Sequence, residues 1–88
     1  MINTNQQLYL NINYNHNSNK FEYDVDNYKW NDPVPYGLKP YFKTSNKYEL
    51  KIWLDLNGLK LHKRIKLLYS HYNSYSYSYL RSYSLIRK

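Results

Sequence analysis

Apolar and polar residues alternate in two separate stretches of this chain. In the first, Gln7–Tyr14 (QLYLNINY), Leu8, Leu10, Ile12 and Tyr14 share one parity, and Tyr9, Asn11 and Asn13 take the other. Period two with aromatic and β-branched content predicts a strand. Asn15-His16-Asn17-Ser18-Asn19 follows, a cluster of turn formers. Phe21, Tyr23 and Val25 then alternate with Glu22, Asp24 and Asp26, which predicts a second strand. The two make an expected β-hairpin over about 7–26.

The second stretch is Tyr48–Leu67 (YELKIWLDLNGLKLHKRIKL). Tyr48, Leu50, Ile52, Leu54 and Leu56 share a parity up to Asn57-Gly58, the dipeptide favoured in two-residue type I′ turns. Leu59, Leu61, Ile65 and Leu67 continue the pattern beyond it. A hairpin over about 48–67 is expected. Its register would set Asp55 against Lys60, Trp53 against His62, Lys51 against Arg64 and Glu49 against Lys66. Lys63 interrupts the apolar parity, so the return strand is expected to bulge or end there, or Lys63 to snorkel to the edge. Near 64–72 the spacing of Ile65, Leu68, Tyr69 and Tyr72 also fits a short helix.

Between the hairpins, Asp32-Pro33-Val34-Pro35-Tyr36-Gly37-Leu38-Lys39-Pro40 excludes a helix interior or a central strand, because proline lacks a backbone donor. A Pro-rich extended connector over 31–41 is expected. Trp30, Tyr36, Tyr41 and Phe42 would anchor it on the sheet or on a partner. After the second hairpin comes a Tyr/Ser-rich run, His71 to Ser84, closing on Arg87-Lys88. The expected fold class is therefore small and mainly β. Residues 1–67 form the β domain, and 68–88 a basic extension that orders on a partner.

Composition adds a setting. The chain has 88 residues, no cysteine and only two glycines, so disulfides, thiolate metal sites and glycine-rich phosphate loops are excluded. Alanine is absent, and Asn, Tyr, Lys, Leu and Ile are abundant. Their codons are AT-rich, as in a protist mitochondrial genome; an AT-rich nucleus or a phage is the rival source. No apolar run approaches the ~20 residues of a membrane-spanning helix. The N-terminus resembles neither a signal peptide nor a transit peptide. A start at Met1 without a presequence leads to the expectation that the chain is made within the organelle, in the mitochondrial matrix.

Charge is uneven. The net charge is +7; in residues 1–40 three lysines face four carboxylates, a net of −1, and in residues 41–88 ten cations face Glu49 and Asp55, a net of +8. A basic half points to a polyanion. On the expected second hairpin, Lys51, Lys60, His62, Arg64 and Lys66 would surround an exposed Trp53, and Lys63, opposite Ile52 on the other face, joins the expected RNA-binding set. Lysines would track phosphates and the tryptophan would stack on a base. Arg81, Arg87 and Lys88 would extend this RNA-binding set along the tail.

Catalysis is not expected. His16, His62 and His71 lack metal-ligand spacing. Glu22, Asp24 and Asp26 share a strand face but have no second ligand cluster, so no metal or cofactor is expected. The Asn-Gly turn of LNGLKLHKRIKL, with His71 and Arg81 beyond it, resembles in outline the later part of the small-subunit ribosomal protein family numbered nineteen. That family's His-Lys-x-Gly-Glu-Phe motif is missing, and no residue role is carried over. The expected function is a structural protein of a mitochondrial ribosome that contacts rRNA and neighbouring proteins, with no small-molecule substrate. A soluble or peripheral accessory subunit of a mitochondrial respiratory complex or ATP synthase is the alternative.

Overall fold

The computed structural model describes residues 7–27, 40–65 and 80–88. They form β1 (Leu8–Asn15), β2 (Lys20–Asp26), β3 (Phe42–Thr44), α1 (Lys47–Leu56), β4 (Leu59–Ile65) and β5 (Leu80–Arg87). The strands make one antiparallel sheet in the order β3-β2-β1-β5-β4. The chain is mainly β, as its alternation predicts. The expected connector lies outside the described residues except at Pro40 and Tyr41. The expected helix near 64–72 lies outside them except at Arg64 and Ile65, which are strand.

The first hairpin forms where it is expected. Leu10 pairs with Val25, Ile12 with Tyr23 and Tyr14 with Phe21. The turn closes because Asn15 Oδ1 accepts from the amides of Asn17 (2.8 Å) and Ser18 (3.3 Å). Asn19 takes the left-handed conformation, φ 57°, which asparagine tolerates.

The second hairpin is corrected. Residues 47–56 form a helix, so Glu49, Lys51, Trp53 and Asp55 do not stand on a strand as the expected register requires. Asn46 caps that helix by accepting from the amides of Tyr48 (2.8 Å) and Glu49 (3.3 Å). Thr44 Oγ1 accepts from the Asn46 amide at 3.0 Å and donates to Glu49 Oε1 at 2.5 Å. Glu49 sits at the third helical position, as in a capping box. At the other end Asn57 has φ −96°, and only Gly58 is left-handed, at φ +64°. Asn57-Gly58 therefore stops a helix rather than turning a hairpin.

The alternation misleads here for a geometric reason. Residues two apart on a helix lie about 200° apart, so one strand parity splits into two opposite stripes. Leu50 and Leu54 point inward and are buried. Tyr48, Ile52 and Leu56 point outward, at 69%, 59% and 81% exposed.

β4 does form an antiparallel pair, but with β5. Leu61 lies opposite Leu85 and Arg64 opposite Tyr83, so His62 and Lys63 together face Ser84. This is the bulge that Lys63 foreshadows in the sequence. Ser84 Oγ accepts from the Lys63 amide at 3.1 Å and donates to the Lys63 carbonyl at 3.4 Å. The other edge of β5 pairs with β1 from Leu8↔Leu85 to Asn13↔Leu80. Residues 80–87 of the expected extension are thus an interior strand.

The two sheet faces differ in chemistry. One carries Leu8, Leu10, Val25, Leu59 and Leu85, and buries them with Leu50 and Leu54 of α1. Burial of such side chains stabilises by roughly 1.5–3 kcal/mol each. The other face is polar. Asn11, Ser82 and Asp26 are almost fully buried there. Asn11 Nδ2 donates to Asp26 Oδ2 at 3.0 Å, and Ser82 Oγ donates to Asn11 Oδ1 at 2.6 Å. This chain links β2, β1 and β5 side by side. On the same face burial pushes Asp24 up to about 6; Lys43 opposes the shift, and Asp26 and Glu22 add to it. Burial likewise raises Asp26, against the Asn11 hydrogen bond and Lys43.

Two stability predictions follow from these features. Asn46→Ala removes the cap and should cost about 1 kcal/mol, read as a lower urea midpoint; an unchanged midpoint would contradict the helix. For Asp24, the folded carboxyl binds its proton more tightly than the unfolded one. Its contribution therefore favours folding at low pH and is lost as pH rises from 3.8 through about 6. Asp24→Asn should raise stability at pH 7.5 by on the order of 1 kcal/mol, a value discounted for partial exposure, and by little at pH 4. Equal effects at the two pH values would refute the assignment.

Candidate nucleic-acid interface

β3, β1 and β4 run in one direction, so α1 must cross the apolar face from one outer strand to the other. The outer strands are about 19 Å apart, from four spacings of ~4.8 Å. Ten helical residues reach about 15 Å. The helix therefore covers a band of the face and leaves a groove beside it. The groove has a volume of about 490 Å³. Its walls and floor are largely apolar, with Leu10, Ile12, Leu59, Leu61, Tyr23 and Tyr83 on the sheet side. Leu50 and Leu54 close the helix side.

Around this groove stand Lys47 and Lys51 of α1, Lys60 of β4, Arg81 of β5, and Lys88. The single carboxylate among the lining residues is Asp55. Lys88 Nζ contacts Asp55 Oδ1 at 2.6 Å, an exposed ion pair, and its backbone amide donates to the Gly58 carbonyl at 2.9 Å. The Lys88 hydrogen bond holds Asp55 below its ordinary value, with Lys51 adding to the field. Lys47, Lys51 and Lys60 are exposed; Lys60 alternates with Leu59 and Leu61 along the outer strand and so faces away from the helix.

The structure regroups the expected RNA-binding residues. Lys51, Lys60, Arg81 and Lys88 meet at one groove although they come from three elements and the C-terminal end. His62 and Lys63 sit in the bulge, and Arg64 lies opposite Tyr83 just beyond it. Arg87 pairs across from Leu59. Lys66 lies outside the described residues. Trp53 is not at the centre of the cations. It stacks on Phe42 of β3, with centroids 5.0 Å apart and planes 14° from parallel, and is half-buried. Its position follows from the helix: Trp53 is three residues after Leu50 and shares the inward side. The pairing also anchors Phe42 on this chain's own core.

Two groove residues are not foreseen from sequence. Lys47 becomes a rim residue only once residues 47–56 coil, which the Asn46-x-x-Glu49 capping pattern signals. Tyr83 becomes a floor residue only once β5 joins the sheet, and the alternation of Ser82, Tyr83, Ser84 and Leu85 is its signal. Among the described residues, no group of three His, Cys, Asp or Glu side chains is placed to hold a metal ion. Among them, no helix is long and apolar enough to cross a membrane.

No family model, curated protein or solved structure matches this chain. The Asn-Gly hairpin on which the ribosomal resemblance partly rests is a helix end in the structure.

The different roles of Trp53 and the rim lysines are separable by stability. Trp53→Ala should cost about 2–3 kcal/mol, somewhat less than a fully buried aromatic. Lys51→Gln and Lys60→Gln should stay within about 0.5 kcal/mol of the parent. A thermal melt that leaves Trp53→Ala at the parent midpoint would place the indole outside the core.

Proposed function

We propose that this chain is a structural RNA-binding protein of a mitochondrial ribosome, with the α1–sheet groove as its contact with rRNA. The observation that carries this reading is the excess of cations lining one groove, Lys47, Lys51, Lys60, Arg81 and Lys88 against the single carboxylate Asp55. Those cations come from residues 47 to 88, and Lys47, Lys51 and Arg81 belong to the helix and the helix-facing side of the sheet. Phosphate recognition needs such a collection, and it needs no catalytic group. Lysine dominates the rim, which fits phosphate tracking better than bidentate base reading. The basic half of the sequence and its AT-rich codon character support an organellar assembly as the setting.

A second reading has one observation in its favour. Tyr48, Ile52 and Leu56 form an outward stripe on α1 that suits a protein neighbour. In a ribosome that stripe would meet an adjacent protein. It fits equally an accessory subunit of a respiratory complex or ATP synthase.

Binding to an rRNA fragment should weaken steeply with salt. Neutralising four phosphates of a single strand gives a slope of about −3 in a plot of log affinity against log salt. Lys47→Gln with Lys51→Gln should reduce that slope by about one to two. In lysate the protein should sediment with ribosomal subunits and leave them at high salt. Retention with a detergent-solubilised respiratory complex, with no RNA affinity at low salt, would overturn this reading in favour of the second.

A further inference from the structure

The groove is unusual for a phosphate-binding surface because its centre is apolar. Phosphates and duplex exteriors are served by a wet, charged face. They gain nothing from a floor of Ile12, Leu61 and Tyr83. An A-form duplex keeps its bases stacked inside and offers only its backbone and a shallow groove. An unpaired strand can splay a base outward, and such a base has an apolar face flanked on both sides by phosphates. Apolar floor and cationic rim match those two parts.

We infer that the groove seats an unpaired nucleotide of single-stranded RNA, its base against Tyr83 and Leu61 and its flanking phosphates at Lys47 and Lys51. This rests on the RNA-binding reading above and adds the form of RNA that is bound. The groove volume of about 490 Å³ falls within the roughly 300–1,000 Å³ of small-ligand sites. Lys47 and Lys51 stand one turn apart on α1 and both line the groove, so the strand's backbone runs along the helix side. Asp55 does not oppose the phosphates, since Lys88 neutralises it. Aromatic stacking tolerates any base, so affinity should depend weakly on sequence.

Three labelled 12-residue probes test this by fluorescence anisotropy at one salt concentration: a single-stranded RNA, its duplex, and an abasic strand with the same phosphates. The single strand should bind about tenfold tighter than either of the others. Tyr83→Leu, which keeps an apolar side chain in the core, should remove most of that advantage and leave duplex binding within about twofold. Leu61→Ser is the second variant. Leu61 is 46% exposed, so its loss should spare the fold while weakening single-strand binding alone. Equal binding of all three probes would overturn the seated base and leave the phosphate-binding function standing. Binding of none would overturn both.

Discussion

β5 pairs along both of its edges, and the rest of the structure depends on that double pairing. On one side it meets β1, which lies some seventy residues earlier; Ser82 and Asn11 alone are separated by 71 positions. On the other side it meets β4. Without β5 the sheet divides into a three-stranded piece and a lone outer strand. The helix would then lose the floor that buries Leu54 against Leu59 and Leu85. The groove would lose Tyr83 and Arg81. Closing so long a loop carries an entropic cost before any contact forms, and contacts of this separation slow folding. A small domain with no disulfide must offset that cost with continuous pairing on both edges.

The same strand resolves what the alternation of serine and tyrosine does, at least over its final part. Tyr83 and Leu85 turn to the apolar face, and Ser82 and Ser84 to the polar one. A serine is small enough to sit buried beside Asn11 and still use its hydroxyl. Ser82 completes the side-chain chain from Asp26, and Ser84 holds the backbone of the bulge. A buried polar row of this kind favours one register, because a slip by a single residue would leave carboxamide and hydroxyl groups unsatisfied.

Much of the fold was legible because strand alternation is a direct imprint of a two-faced sheet. Leu8 to Val25 could be read correctly from that imprint alone. Tyr48 to Leu56 carries the same imprint and is a helix. There the informative residues were the terminators, Asn46 with Glu49 at one end and Gly58 at the other, rather than the apolar ones. Local patterns also carry no information on which distant strand will be the partner. The pairing of β4 with β5, and hence the groove, was therefore hidden, although Lys51, Lys60, Arg81 and Lys88 each stood out by charge. Trp53 stood out as an aromatic among cations, but its direction depended on the type of element that bears it.

The Ser84 clamp on the bulge has a consequence at the margin of the molecule. β4 is an outer strand, and a regular outer strand is a template on which a second chain can add. The additional residue at His62–Lys63 disturbs the spacing of its backbone groups, and Lys60, Lys63 and Arg64 line it with like charge. At the opposite margin β3 offers only three residues. Lateral growth of the sheet is thus disfavoured at both ends. In a protein rich in tyrosine and asparagine, whose composition invites stacking into fibrils, one serine hydroxyl and a short edge both work against that stacking.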